Sequence, residues 1–227
     1  MLSTILLAIW FLMILSGGYL LVRVIFNVSP EEEWILGIAG GISVNVVFAA
    51  IITQLLPAPL SFYLSAALVF LLGILLTSFH KKSFQNWRWK SLSVFIPFLL
   101  VVWISFRISR GMAIFDDYAH LPTTSLMALG QVPPVFAYDP SVSYAYHYFL
   151  MLFAAQIMRI GEVLPWTALD VSRSISFGLA VILASFCAYR MTRSRWAALI
   201  GGFFMAMGGG TRWLSLFLPQ KFFEKIS

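Results

Sequence analysis

The chain has 227 residues, of which 60% are hydrophobic and 11% charged, and it carries a formal net charge of +6. Soluble domains carry about 25% charged residues, so a mean hydropathy of +0.89 excludes an ordinary soluble fold. Several apolar runs reach about 17–22 residues, the length that spans a hydrocarbon core, and they lack the short alternating segments of a porin-like barrel. The expected fold class is all-α, a polytopic membrane protein of about seven transmembrane or re-entrant helices in a single integral membrane domain over residues 1–227. The excess positive charge does not point to nucleic acid. Lys81, Lys82, Arg88 and Lys90 crowd beside an apolar run, the pattern of a cytoplasmic loop in an inserted protein. The single cysteine, Cys187, can form no intrachain disulfide and offers no zinc cluster.

In chain order, the first run covers Leu2–Val22 and lacks the basic start and small-residue cleavage site of a signal peptide. Ser29, Pro30 and Glu31–Glu33 then form a strong helix start: a capping hydroxyl, a first-turn proline and carboxylates at the positive end of the helix dipole. The second run follows, Trp34–Leu56. Pro57-Ala58-Pro59 is a tight turn, because proline cannot continue a hydrogen-bonded helix. The third run is Leu60–Phe79. The basic segment His80–Lys90 is expected in the cytoplasm, with Trp87 and Trp89 in the headgroup belt.

The fourth run, Ser91–Ile108, leads outward, so the loop from Arg107 to Val142 is expected on the extracytoplasmic side. Within that loop Asp116–Leu129 reads as a short helix ended by Gly130, and Val132-Pro133-Pro134 and Tyr138-Asp139-Pro140 read as turns. Later runs cover Tyr146–Gly161, Ser174–Tyr189 and Trp196–Met207, the last broken by Gly208-Gly209-Gly210. Arg190, Arg193 and Arg195 also look cytoplasmic, yet an odd number of runs separates them from the first basic cluster. Either the run from Tyr146 to Gly161 is re-entrant, or the charge rule fails at one loop.

The candidate chemistry is concentrated in the loop. Asp116 and Asp117 lie four and three residues before His120, so on a helix they share its face. A carboxylate at a membrane surface can take a proton from an acceptor hydroxyl or amine, or help hold magnesium or manganese through oxygen ligands. Equally, the pair can cap the following helix and face water. His147 stands between Tyr146 and Tyr148, with Tyr144 nearby. Such rings suit a sugar face or a phosphate, and they suit an interfacial aromatic belt at least as well. Arg212 follows a glycine run without a Walker lysine. It can bind phosphate, or it can snorkel from a helix end.

Taken together, Phe115 to Arg212 resembles part of a C-type membrane glycosyltransferase, the superfamily (GT-C) of protein mannosyltransferases and lipid A aminoarabinose transferases. The resemblance rests on Asp116-Asp117 after a membrane helix, followed by Tyr118, His120, Leu121-Pro122, Gly130 and Pro133-Pro134. It continues with Tyr146-His147-Tyr148 at the next helix and the stretch from Arg173 to Arg195. The resemblance implies transfer of a sugar from a polyprenyl-phosphate donor to an acceptor at the extracytoplasmic face. It implies a location in the bacterial inner (plasma) membrane and membrane lipid as surroundings, with no nucleic-acid partner. By the same resemblance Asp116 is the candidate base and Asp117 orients it or shares a divalent cation (Mg or Mn). His120, Tyr146, His147 and Arg212 are the candidates for binding substrate. Family members are about twice as long with more spans, so the resemblance also implies a fragment lacking part of the donor pocket. The alternative is a non-enzymatic transporter or lipid-binding membrane protein. Transporters place ionisable groups near the midplane of their spans, and these runs hold almost none.

Overall fold

The computed structural model describes residues 2–80, 89–111, 117–136, 139–143 and 148–208. Among them the helices are α1 (Leu2–Ile25), α2 (Pro30–Ile52), α3 (Leu60–His80), α4 (Phe95–Gly111), α5 (Asp117–Ala128), α6 (Phe149–Gly161), α7 (Pro165–Thr192) and α8 (Arg195–Gly208). A short 3-10 segment, Trp89–Val94, leads into α4. A two-stranded antiparallel ribbon joins β1 (Val135–Phe136) to β2 (Asp139–Ser143). The fold is all-α, as the composition requires.

Five helical segments are long and apolar enough to cross a membrane: α1, α2, α3, Leu92–Ser109 and α7. The outward faces say the same. On α1, Leu2, Ile5, Ile9 and Leu12 recur at helical spacing and are 48–70% exposed. A helix apolar on both its packed and its open face is solvated by hydrocarbon, not water. The chain is an integral membrane protein.

Local sequence sets the helix ends. Ser29 Oγ accepts from the Glu32 N–H at 3.4 Å, and Glu32 Oε2 accepts from the Ser29 N–H at 2.8 Å, a complete capping box before Pro30. Gly130, at φ 101°, ends α5: its N–H donates to Met127 O and the Gln131 N–H to Leu126 O, at 2.9 and 3.2 Å. That is the paired closure a left-handed glycine permits.

Two expectations are corrected. Helix α7 begins at Pro165 rather than near Ser174, because its first turns pack inward: Ala168 and Leu169 are buried, and so are the polar Asp170 and Ser172. Asp139-Pro140 is strand rather than turn, pairing in register Phe136↔Asp139, while Tyr138 lies outside the described residues.

Helix α1 packs against α2, α3 and α6. Glycines permit the close approach. A Cβ on Gly17 would lie 2.6 Å from the Val69 carbonyl oxygen, and one on Gly37 would lie 2.8 Å from Tyr19 Cα. Small residues at helix crossings are how membrane helices gain packing when hydrocarbon offers no hydrophobic drive. The core above the crossing holds Trp10, Phe62 and Phe153, with Trp10 Nε1 donating to the Phe62 carbonyl at 3.1 Å. A fully buried polar knot ties three helices together there. Asn45 Nδ2 donates to Gln156 Oε1 and Ser65 Oγ to Asn45 Oδ1, both at 2.8 Å.

Contacts define two ends of the bundle. At one end Gln54 Nε2 donates to the Val132 carbonyl, and Gly130 sits beside Ala58. At the other, Trp34 meets Phe95 edge to face at 5.6 Å and Glu32 pairs with Arg190. Helix α6 has 13 residues, about 20 Å of helix against a core of about 30 Å. Its Phe153 stacks on Trp10 and its Gly161 meets Leu7, both in the first half of α1, and its Gln156 meets Asn45 in the last part of α2. These contacts keep α6 in the half of the bundle that holds α5, so it does not cross. The start of α4 and the end of α7, each beside a basic cluster, therefore share one end.

Candidate functional site

Of the residues singled out from sequence, Asp116, Tyr146, His147 and Arg212 lie outside the described residues. Asp117 is the first residue of α5, and His120 follows one turn later. Asp117 thus opens a helix, at the end whose dipole favours negative charge.

His120 has a defined partner. Arg173 Nη2 lies 3.1 Å from His120 Nδ1. A guanidinium only donates, so Nδ1 is the acceptor and the ring of a neutral His120 carries its proton on Nε2. This contact joins the loop helix α5 to the start of α7. Asp170, one turn before Arg173, is 7% exposed. Arg173 and Arg190 stand 17 residues apart on α7, a separation of about 26 Å along the helix, close to the thickness of a hydrocarbon core. The His120–Arg173 pair and Arg190 are therefore far enough apart to stand at opposite ends of a membrane span.

From the Arg173 end of α7 an apolar groove of about 590 Å3 runs between α4 and helices α1, α2 and α7. Phe98, Val102 and Phe106 form one wall, and Phe11, Ile38 and Ile175 stand opposite. Ser174, adjacent to Arg173, also lines it; its hydroxyl is buried and finds no hydrogen-bond partner among the described residues. Helix α4 is the most open of the five long helices, so the groove faces the bilayer laterally.

The ribbon contributes a second acid of known environment. The Ser141 hydroxyl at 2.6 Å and its N–H at 3.1 Å both donate to Asp139 Oδ1 and hold that carboxyl below its usual pKa. Asp139 is thus a carboxylate that anchors the start of β2 through Ser141, held in the form that accepts hydrogen bonds. Among the described residues no three His, Cys, Asp or Glu side chains converge to hold a metal ion.

Sequence reading left Arg173 without a role. Its signal was an arginine in the first polar turns of a long helix, which names a position and not a partner 53 residues away. Asn45, Ser65 and Gln156 were missed altogether, since a single amide in an apolar run has no periodic signature. No family model matches the chain, and no curated protein or solved structure matches it either.

Proposed function

We propose that the protein is a membrane glycosyltransferase that takes its sugar from a polyprenyl-phosphate donor at the extracytoplasmic end of the bundle. The observation that carries the reading is the His120–Arg173 contact at 3.1 Å, which brings a cation to the loop that opens with Asp117. Arg173 supplies the fixed positive charge that a donor phosphate needs, in a planar geometry suited to two oxygens. The adjoining groove suits an apolar chain entering from the side, with Val171 and Ser174 of its wall on either side of that cation in sequence.

In this reading Asp116 removes the acceptor's proton, and Asp117 orients it. His120, in contact with Arg173 through Nδ1, binds donor or acceptor. Tyr146 and His147 complete the sugar site and Arg212 contributes a further cation. The bond from the sugar's anomeric carbon to the donor phosphate breaks, the acceptor oxygen or nitrogen takes its place, and polyprenyl phosphate leaves. The sidedness follows from the charge rule. Both basic clusters belong to one end, which is cytoplasmic, so the loop end faces outward across a bacterial inner membrane.

A photoreactive polyprenyl phosphate added to membranes containing the protein tests the reading. Crosslinks should map to α4 and the start of α7 and weaken in Arg173→Met. Crosslinks confined to other helices would count against it. A lipid-binding protein without catalysis is the second reading, favoured by the same groove. It predicts crosslinking without any sugar transfer.

A further inference from the structure

The opposite end of the bundle holds a second cavity, of about 890 Å3, between the start of α2 and the turn from α7 to α8. Arg190, Arg193 and Arg195 line it with Ser29, Glu31, Glu32 and Tyr189. Glu32 is already satisfied. Arg190 Nε and Nη2 donate to its two oxygens at 2.6 and 3.0 Å, and the Ser29 N–H adds a third bond. Among the described residues neither Arg193 nor Arg195 has an ion-pair partner, and Glu31 is the one other acid on the wall.

Arg193 is placed at a conformational cost. It closes α7 at φ 57°, its N–H donating to the Tyr189 carbonyl at 2.7 Å. Glycine adopts that left-handed cap without a steric penalty. Here an arginine occupies it, and its side chain lines the cavity. Beside the cavity, Trp196, Leu199, Ile200 and Phe203 form an exposed stripe on α8 at helical spacing, 52–76% open. A basic cavity at a membrane boundary that adjoins an apolar stripe matches an amphiphile, with a phosphate in the cavity and chains along the stripe.

We infer that this cavity is a binding site for the phosphate headgroup of an anionic glycerophospholipid, separate from the proposed catalytic end. Arg193 and Arg195 engage the phosphate oxygens, and the acyl chains lie along Trp196 to Phe203 of α8. The Arg190–Glu32 pair is the rigid wall between them and α2. The stripe commits the site to a lipid rather than to free phosphate, which would gain nothing from it.

Native mass spectrometry of the whole chain, released from neutral detergent with equal dioleoyl-phosphatidylglycerol and dioleoyl-phosphatidylcholine, tests this. The anionic lipid should be retained at least severalfold over the zwitterionic one. Each arginine near the surface is worth about fivefold, so Arg193→Gly and Arg195→Gln should each lower that preference by about this factor. Arg193→Gly suits the backbone, so its fold is retained; Arg195→Gln, at an exposed position, is the independent check. Millimolar glycerol 3-phosphate should not displace the lipid. Equal retention of the two lipids, an undiminished preference in both variants, or displacement by glycerol 3-phosphate would each overturn the inference.

Discussion

Arg190 grips both carboxylate oxygens of Glu32, tying the last turn of α7 to the first turn of α2 across 158 residues of sequence. Glu32 is 7% exposed, while the Arg190 side chain is about half open. Breaking a fully buried pair costs about 3–5 kcal/mol, and exposure of one partner reduces that figure. Arg190→Leu should therefore lower the thermal unfolding temperature of the detergent-solubilised protein. Adding Glu32→Gln should restore part of the loss, because the variant no longer buries an unpaired charge. A second substitution that lowers stability further would show that the pair is not what Glu32 depends on.

The same pair fixes which loops share a side. In a Cys187→Ser background, cysteines at Ser29 and at Arg193 should show the same accessibility to an impermeant thiol reagent. A cysteine at Ser141, on the ribbon, should show the opposite. The native Cys187 is exposed and must be removed first. Labelling of Ser141 only after lysis would reverse the proposed orientation. Labelling of Ser29 and Arg193 from different sides would contradict the fold.

Glycine packing gives a sharper contrast. A Cβ on Gly37 meets the α1 backbone at 2.8 Å, whereas one on Gly40 meets only a Val22 methyl at 3.5 Å. Overpacking typically costs about 1–3 kcal/mol, and alanine is favoured over glycine in a helix by about 1 kcal/mol. Gly37→Ala should lower the unfolding temperature, and Gly40→Ala should leave it unchanged or raise it. Equal effects at the two positions would mean that α1 and α2 do not cross where these contacts put them.

Much of this architecture was legible in the chain. Run length and composition give the helices, and Ser29-Pro30-Glu31-Glu32-Glu33 announces the start of α2 almost to the residue. The odd number of runs between the two basic clusters left the run from Tyr146 to Gly161 open as spanning or re-entrant, and only its contacts with Leu7, Trp10 and Asn45 place it in one half of the bundle. Helix α7 was read too short for a physical reason. Hydropathy sees Thr167, Asp170, Ser172 and Arg173 as polar, but helices are set by backbone bonding and by what the bundle buries. For the candidate site, sequence could bring Asp117 and His120 onto one helix, since three-residue spacing is local. It could not bring Arg173 to His120, because that proximity depends on how α5 docks on α7.

Arg173→Lys provides a test of donor recognition. Lysine keeps the charge but loses the planar fork and the contact geometry to His120 Nδ1. Sugar transfer by the protein should fall by about 10- to 100-fold, roughly 1.4–2.8 kcal/mol of lost stabilisation, with the larger part in the donor KM. His120→Ala should reduce transfer as well. Applied together, the two changes should cost less than the sum, as expected for residues in contact. Additive losses would argue that His120 and Arg173 act separately.

The most direct test is turnover of a radiolabelled polyprenyl-phosphate sugar by the protein carrying Asp116→Asn. The substitution preserves shape and hydrogen bonding but removes the proton-accepting charge. General-base catalysis contributes about 100- to 10,000-fold, so transfer should fall by that order while expression and insertion stay unchanged. Asparagine caps a helix about as well as aspartate, so a residue that merely caps α5 would tolerate the change, and near-wild-type turnover would contradict the account.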